Sequence, residues 1–318
     1  MMRFFIILFA LWSSAFAVNL QPTAVIEARG NVQDLLVHKN SLIIANDAGS
    51  IEVFDTNTHA KTFEILFGDI KDFMGDMMKP KIFSVDFDAS SDAYLAVVQA
   101  SNGSRELLHV KGKTHTKLIN SSQKLYIAKA KFVDSNRVFL ALLSHEVILF
   151  DITKQKEIYR FQVSLSHFSD FMLDEGKIQV ITAGESGEIF VIYIDKGEVS
   201  SILKGGNVDN IYKVDITNGY ALAAGQDRRG IIYNIANESY KRFDAPFLIY
   251  AGALSPRAKK AAFAINEKND IAIFDVANSK ALHLLVGQKS TLNSIVFQDE
   301  HTLFSGSDDK FIMKWSLP

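Results

Sequence analysis

The sequence predicts an all-β fold of seven repeated units in a ring, a seven-bladed β-propeller with four antiparallel strands in each blade. Three observations predict it. An apolar strand with an aromatic end recurs at near-constant spacing, three further strand-like runs accompany each copy, and almost no segment has helical periodicity. We interpret residues 18–318 as one such domain without an internal linker, preceded by a targeting segment at residues 1–17.

The first 17 residues have the character of a secretory signal peptide. Arg3 supplies a basic start, residues 4–12 are apolar and uncharged, and small residues lead to an Ala-x-Ala ending at Ala17. A signal peptidase accepts such an ending, and the apolar run is too short to span a bilayer. The sequence therefore predicts cleavage after Ala17, a periplasmic location and no stable membrane insertion.

The composition argues against nucleic acid as a partner. The chain has 34 Lys and Arg residues, of which Arg3 falls in the targeting segment, and 36 Asp and Glu residues. Nucleic-acid binding needs a concentrated basic face, which this balance does not offer. The chain has no cysteine, so an exported protein of this length must hold its fold through a large core.

Each repeat is marked by an anchor strand that ends in an aromatic residue or, in one repeat, in a histidine. The successive spacings between these end residues are 55, 41, 43, 40, 41 and 41. A four-stranded propeller blade has a period of about 40–45 residues, so five of the six spacings fit and one contains an insertion. The end residues are Phe54, His109, Phe150, Tyr193, Tyr233, Phe274 and Trp315.

The two ends of the chain predict how the ring closes. The last repeat stops at Pro318, after its third strand, while residues 23–27 form an unused strand ahead of the first repeat. We expect this N-terminal strand to complete the last blade, because the pairing covers an otherwise open sheet edge.

The final repeat carries a family signature. Gly287-Gln288, the small residues at 305–307, Asp309 and Trp315-Ser316 follow one another at the spacing of a WD40 repeat, which this segment resembles. Gln288 stands where the family has His, and Ser316 where it has Asp. The resemblance implies a WD40-type propeller that works through protein interactions. Without a His at position 288, we expect that the family's His–Ser/Thr–Trp hydrogen-bond chain cannot form in its usual version.

In overall character the chain is similar to the NapL family, the small periplasmic WD-repeat accessory proteins of bacterial periplasmic nitrate reductase systems. The shared features are the signal peptide, the cysteine-free mature chain, the length and the degenerate blades. The resemblance implies a non-catalytic scaffold whose partner is a periplasmic reductase component or its maturation machinery. It supplies no active-site residues.

The sequence predicts neither enzymatic activity nor a metal or cofactor. No two of the eight histidines have a spacing that presents both imidazoles to one metal ion. The polar loops between the second and third strands could still converge on the central channel and hold a cation or a sugar, or they are solvated turns. A propeller enzyme, such as a lactonase or glycan hydrolase, and a general envelope-assembly factor therefore stay as alternatives.

Two segments are candidates for partner binding. Asp227-Arg228-Arg229 is the densest charged turn, and arginine is enriched at interface hot spots. The insertion at residues 67–80 contains Phe73, Met74, Met77 and Met78, and methionine clusters suit adaptable binding surfaces. For this insertion three interpretations are open: hydrophobic cover over a blade, a docking loop, or a copper(I) site built from thioethers.

Overall fold

The computed structural model describes residues 18–101, 103–112 and 114–318, and these ranges contain 31 strands and one short 3-10 helix, η1 (Ser121–Gln123). The predicted signal peptide, residues 1–17, with its cleavage site after Ala17, lies outside the described residues. Within the described ranges, the structure has no helix of the length and apolar character that crossing a bilayer requires.

Seven sheets of four antiparallel strands form the blades, so the predicted fold class is confirmed. In chain order their strands are, for blade 1, β3 (Val32–His38), β4 (Ser41–Asn46), β5 (Ser50–Asp55) and β6 (Lys61–Leu66); for blade 2, β9 (Ile82–Asp88), β10 (Ala93–Gln99), β11 (Arg105–Lys111) and β12 (Thr114–Ile119); for blade 3, β13 (Ile127–Asp134), β14 (Arg137–Leu142), β15 (Glu146–Asp151) and β16 (Lys156–Gln162); for blade 4, β17 (Phe168–Leu173), β18 (Gln179–Gly184), β19 (Ile189–Tyr193) and β20 (Glu198–Leu203); for blade 5, β21 (Ile211–Thr217), β22 (Tyr220–Gly225), β23 (Arg229–Asn234) and β24 (Tyr240–Asp244); for blade 6, β25 (Gly252–Leu254), β26 (Lys260–Ala264), β27 (Ile271–Asp275) and β28 (Ala281–Leu285); and for blade 7, β29 (Leu292–Phe297), β30 (Thr302–Ser307) and β31 (Phe311–Ser316) with β2 (Ala24–Glu27).

The ring closes as the sequence predicts. β2 pairs antiparallel with β31, and Ala24 lies opposite Lys314 while Glu27 lies opposite Phe311. The side chain of Ile26 is buried between blades 7 and 1. The first and last strands of the propeller therefore meet in one sheet, and the N-terminal strand completes blade 7.

A further strand, β1 (Val18–Leu20), adds to the outer edge of blade 6, which the sequence did not predict. It runs parallel to β28, with Val18 opposite His283 and Leu20 opposite Leu285. β28 contains no Asp, Glu, Lys or Arg, and uncharged edge strands are the ones that proteins cover. The chain then crosses at Gln21 and Pro22 to blade 7, so that its first two strands join two neighbouring blades.

The buried apolar side chains of the described chain form seven clusters, one for each pair of neighbouring blades. Small residues in the second strand of each blade allow the sheets to approach closely. Ala141, Ala183 and Ala224 are fully buried, and a Cβ atom on Gly306 would lie 2.8 Å from Cγ1 of Val32 in blade 1. The core therefore lies between blades rather than at the axis, as close sheet packing requires.

The hydrogen-bond chain of the last blade does form, with glutamine in the place of histidine. Trp315 Nε1 donates to Ser305 Oγ at 2.9 Å, and Ser305 Oγ donates to Gln288 Oε1 at 2.8 Å. Gln288 Nε2 then donates to Ser307 Oγ at 2.7 Å, and this hydroxyl donates to Asp309. A carboxamide has a donor and an acceptor, as neutral imidazole does, so Gln288 can relay the chain. The usual chain with histidine is absent at Gln288, as we expected, but glutamine forms an equivalent chain.

Candidate functional site

The seven blades present two faces with different chemistry. In an antiparallel four-stranded meander, the loops after the second and fourth strands emerge at one end and the turns after the first and third strands at the other. The first end, which we name the hairpin face, carries residues 67–80 and the turn at residues 226–228. Both candidate segments therefore lie on the same face, although they belong to the connection between blades 1 and 2 and to blade 5, respectively.

The insertion forms a small two-stranded hairpin. β7 (Ile70–Lys71) pairs with β8 (Met77–Met78), and Ile70 lies opposite Met78. The turn between them is held by the Asp72 carboxylate, which accepts from Met74 N at 2.8 Å and from Asp76 N at 2.9 Å. Gly75 has a φ of 94°, a backbone conformation that glycine adopts without steric cost. The tip therefore has a defined shape.

The base of the hairpin is attached to blade 2. Lys79 Nζ lies 2.5 Å from Asp69 Oδ1 across the base, and Lys71 N donates to Ser101 Oγ at 3.3 Å. The ring of Phe67, just before the hairpin, lies 5.3 Å from that of His115 on β12. Attachment at the base leaves the tip free of the blades.

The apolar side chains of the hairpin point into solvent. Phe73 is 100% exposed, Met74 82%, Met77 61% and Met78 37%. These side chains therefore do not cover a blade, and the first of the three interpretations is wrong for them, whereas Phe67 at the start of the insertion is buried between blades 1 and 2. Large apolar groups exposed together on one segment are the kind of surface that interaction sites use.

Further exposed apolar residues share the hairpin face. Tyr126, Leu165 and Val208 lie in the connections to blades 3, 4 and 5, and Leu165 is 98% exposed. We name Phe73, Met74, Met77, Tyr126, Leu165 and Val208 the apolar rim. On the opposite face, among the described turns between first and second strands, Ile178 is the only large hydrophobic residue that is exposed. The two faces therefore differ in their apolar surface, and the sequence pattern of the single loops did not show this asymmetry.

The charged turn at residues 227–229 is largely structural. Both oxygens of the Asp227 carboxylate accept hydrogen bonds, from Asn207 Nδ2 and from Val208 N, each at 2.9 Å. Arg229 Nη1 donates to Gly206 O at 3.2 Å. A side chain at Gly225 would place its Cβ 2.6 Å from Asp227 Oδ1, so this turn requires glycine there. Only the Arg228 side chain of the three is exposed to solvent.

The centre of the ring contains charged side chains from the innermost strands. In five of these strands a register irregularity near the start is followed by a polar residue that lines the central cavity, namely Asp34, Lys129, Asp170, Lys213 and Ser294. A cavity of about 580 Å³ lies among them, and its rim includes the turns after first strands, on the face opposite the hairpin. The charged residues that line its middle are Asp34, Asp86, Lys129, Lys131, Asp170, Lys213 and Asp215.

The carboxylates in this cavity bind the backbone of the next blade. Asp34 accepts from Val85 N at 3.0 Å, Asp86 from Phe132 N at 2.8 Å, Asp170 from Val214 N at 3.2 Å and Asp215 from Leu254 N at 2.8 Å. These bonds join blades 1 to 2, 2 to 3, 4 to 5 and 5 to 6. The four carboxylates therefore act as clasps between blades.

Two of the lysines in the cavity are paired with these clasps. Lys129 donates to Asp170 at 2.7 Å, and Lys131 donates to Val85 O at 2.9 Å and lies within 4 Å of Asp34 and Asp86. Burial raises the pKa of the Asp215 carboxyl to about 6, against the hydrogen bonds from the Leu254 and Ile216 amides. Burial also raises the pKa of the Asp34 carboxyl, but the charges of Lys131 and Lys129 outweigh this effect, so the pKa of Asp34 lies below its usual value.

The loops between second and third strands do not supply the channel charges. Asp47 accepts from Asn31 N and Asp309 from Phe311 N, which confirms the turn interpretation for these carboxylates. Within the described residues, no group of three or more His, Asp or Glu side chains could hold a metal ion. The described residues that line the central cavity include none from these loops, so the cavity gives no support to the convergence of loop carboxylates that the enzyme alternative required. The clasp residues were missed because polar residues that alternate with apolar ones, as Lys213 and Asp215 do in β21, have the same sequence pattern as the solvent-facing side of a strand.

The comparisons with known proteins show the fold and no more. No family model matches the chain, and no curated protein matches it. Among solved structures, it is similar to the Cps50 (Swd1) β-propeller domain of Myceliophteria thermophila, with a TM-score of 0.74 and 14% identity over 93% of this chain and 99% of that one. Because 1844 solved chains match, the WD40-like seven-bladed fold does not by itself select a function.

Proposed function

We propose that the chain is a non-catalytic periplasmic scaffold that binds a protein partner through its hairpin face, as an accessory or maturation protein of a periplasmic nitrate reductase system. The observation that carries the proposal is the exposure of Phe73, Met74 and Met77 on a hairpin attached at its base to a rigid ring. Loops presented by such a scaffold are where binding residues usually lie.

The shape of the candidate surface favours a protein as the occupant. Phe73 and Met74 are at the tip of a projecting hairpin, not in a concave pocket such as small ligands use. The apolar rim continues around the same face at Tyr126, Leu165 and Val208. Apolar and aromatic anchors surrounded by polar loops are typical of the core of a protein interface. Arg228, exposed on this face, is available as a polar contact.

The channel chemistry favours a structural role over catalysis. General acid–base catalysis needs a carboxyl group within reach of a substrate proton, whereas the four channel carboxylates each accept a backbone N–H of the neighbouring blade. Loss of these hydrogen bonds would weaken the contacts between neighbouring blades. We therefore assign the cavity a structural role and assign partner binding to the apolar rim on the hairpin face.

The partner class comes from the sequence resemblance. The signal-like residues 1–17, the absence of cysteine and the degenerate blades are the features that the chain shares with the NapL accessory proteins. An apolar docking surface with the exposed Arg228 fits a folded reductase component or a factor that matures it. The remaining candidate, a general envelope-assembly factor, would use the same face for many clients.

The experiment is affinity capture of the tagged full chain from native periplasm, followed by mass spectrometry of the bound proteins. We expect a nitrate reductase component with the wild type and a loss of it with Phe73→Ser/Met74→Ser. The matched control is Ile178→Ser, which removes an apolar side chain that is 63% exposed on the opposite face and should retain the partner.

Three results would contradict the proposal. Equal capture by the wild type and the Phe73→Ser/Met74→Ser variant would exclude the hairpin as the docking site. Capture of many unrelated envelope proteins would replace the reductase system by general assembly. A stoichiometric metal ion or organic cofactor in the purified protein would contradict a scaffold without chemistry.

A further inference from the structure

We propose that the hairpin is a reversible oxidation site: Met74, Met77 and Met78 each take one oxygen atom from a hydroperoxide, and the product changes the docking surface from apolar to polar. The oxidation itself stands on the exposure of the sulfur-bearing side chains. Its effect on partner binding rests on the proposed function.

Exposure separates the methionines into two groups. Met74, Met77 and Met78 are exposed on the hairpin, whereas Met172 packs against the core between blades 4 and 5, and Met313 is 5% exposed within the core between blades 6 and 7. An oxidant in solution reaches the first group without any opening of the fold. The chain therefore contains its own buried controls for a reaction at the hairpin.

The local structure keeps the three thioethers in the open. Met77 and Met78 are on the two-residue strand β8, which pairs with β7. Met74 is in a turn in which the Asp72 carboxylate accepts hydrogen bonds from the backbone N–H groups of Met74 and Asp76. These contacts use main-chain groups and the Asp72 carboxylate, so a change at the sulfur atoms leaves them intact. Oxidation should therefore alter the surface without unfolding the hairpin.

The reaction is a two-electron transfer. A sulfur lone pair attacks one oxygen of the hydroperoxide, the S–O bond forms and the O–O bond breaks. The leaving oxygen takes up the remaining proton and departs as water, or as an alcohol from an organic hydroperoxide. Sulfur is oxidised and the peroxide is reduced. Methionine sulfoxide reductases reverse the change, one enzyme for each epimer at sulfur.

The consequence for the surface follows from the polarity of the product. A sulfoxide oxygen is a strong hydrogen-bond acceptor, and burying it against an apolar partner without a donor is unfavourable. Sulfoxides at Met74 and Met77 beside Phe73 would replace the methionine part of the apolar rim with hydrated surface, and a sulfoxide at Met78 would add to it. Methionine-rich interfaces are disrupted in this way. The docking surface would thus be present under reducing conditions and lost under peroxide.

The first measurement is peptide mass spectrometry of the purified full chain after graded exposure to hydrogen peroxide. We expect Met74 and Met77 to gain oxygen first and Met78 next, with Met172 slower and Met313 unmodified while circular dichroism shows the native fold. Oxidation of Met313 as fast as Met74, or no oxidation at the hairpin, would overturn the proposal.

The second measurement is retention on a phenyl-substituted hydrophobic column, which reports the apolar surface without any partner protein. Peroxide should shorten the retention of the wild type, and methionine sulfoxide reductases A and B together should restore it. Met74→Leu/Met77→Leu/Met78→Leu keeps the apolar character but has no sulfur, so its retention should not respond to peroxide. An equal response of this variant would place the change elsewhere and refute the proposal.

Failure of the proposed function would look different. If the captured wild-type protein retains no reductase component while the column and the peptide masses behave as expected, the oxidation site stands and the docking role falls. If the reductase component is captured and peroxide releases it from the wild type but equally from the triple leucine variant, the docking role stands and the oxidation switch falls.

Discussion

Lys129 on the innermost strand of blade 3 donates to Asp170 on the innermost strand of blade 4 at 2.7 Å, and both side chains are buried. The same Asp170 accepts from Val214 N of blade 5. One ion pair therefore connects three consecutive blades at the axis of the ring.

We expect Lys129→Met to destabilise the protein by about 3–5 kcal/mol, because it leaves the Asp170 carboxylate buried without its cation. Lys129→Met/Asp170→Asn should recover part of this loss, since no uncompensated charge remains. Urea denaturation followed by fluorescence measures both. The control is Lys154→Met, which removes an exposed partner of Asp151 and should change stability by less than about 1 kcal/mol. Equal losses from both lysines would contradict the clasp role.

Two buried groups give opposite dependences of stability on pH. Burial raises the pKa of Asp215 to about 6 from its usual value of 3.8, so the folded state binds the extra proton and stability falls as pH rises through this interval. Burial lowers the pKa of His145 to about 4 from 6.5. For His145 the unfolded state binds the extra proton, and stability falls as pH decreases from about 6.5 to 4.

In the wild type these two dependences oppose each other between about pH 4 and 6.5, and single variants should separate them. With His145→Gln, stability should fall by about 2 kcal/mol as pH rises from 4 to 6, a value reduced because Asp215 borders a cavity open to water. With Asp215→Asn, stability should rise by about 3 kcal/mol from pH 4 to 6.5. Denaturation midpoints over this range check both, and parallel curves for the two variants would contradict the assignment.

Gln288 should be required for the stability of the last blade. Gln288→Leu removes the acceptor of Ser305 Oγ and the donor to Ser307 Oγ. We expect a loss of about 2 kcal/mol, because two buried hydroxyls lose a partner each. Gln288→His supplies a donor and an acceptor again and should retain most of the stability. Thermal unfolding measures the series, and a neutral Gln288→Leu would show that the chain of hydrogen bonds contributes little.

Ring closure depends on the inward face of β2. Ile26→Ala should cost about 2–4 kcal/mol, since the side chain is 2% exposed between blades 7 and 1. Its neighbour Val25, 52% exposed on the same strand, provides the control, and Val25→Ala should have an effect below about 1 kcal/mol. Equal effects at the two positions in a urea titration would mean that the strand contributes through its backbone alone.

The sequence predicted the parts of the fold that repeat. The anchor strands ending in Phe54, Phe150 and Trp315 recur because every blade buries the same faces against its neighbours. The closing strand was also predictable, since a blade short of one strand and a spare strand must pair. β1 was not, because Val18–Leu20 is too short to show a period and its pairing is parallel.

The sequence singled out the hairpin residues as candidates but could not predict that they are exposed. An apolar cluster such as Phe73, Met74 and Met77 has the same sequence signature whether it covers a blade or faces solvent, and only the tertiary structure separates the two. The clasp Asp34 and the lysine Lys129, which pairs with a clasp, could not be recognised from the sequence as residues of the axis. Each lies in a strand with a further polar residue, Gln33 beside Asp34 and Lys131 two residues after Lys129, and the axis is formed only when neighbouring blades bring such positions together.

The crossing of β1 and β2 from blade 6 to blade 7 has a consequence for the order of folding. The partners of Ala24–Glu27 lie about as far along the chain as the sequence allows, at Phe311 to Lys314, and contacts of such separation form late because the loop between them must close first. Blades 1 to 6 each contain four consecutive strands and can assemble locally. Pairing of β31 with β2 is therefore expected to be a late step in folding. Until these two strands pair, the ring is open, and the unpaired edges of both strands can pair wrongly.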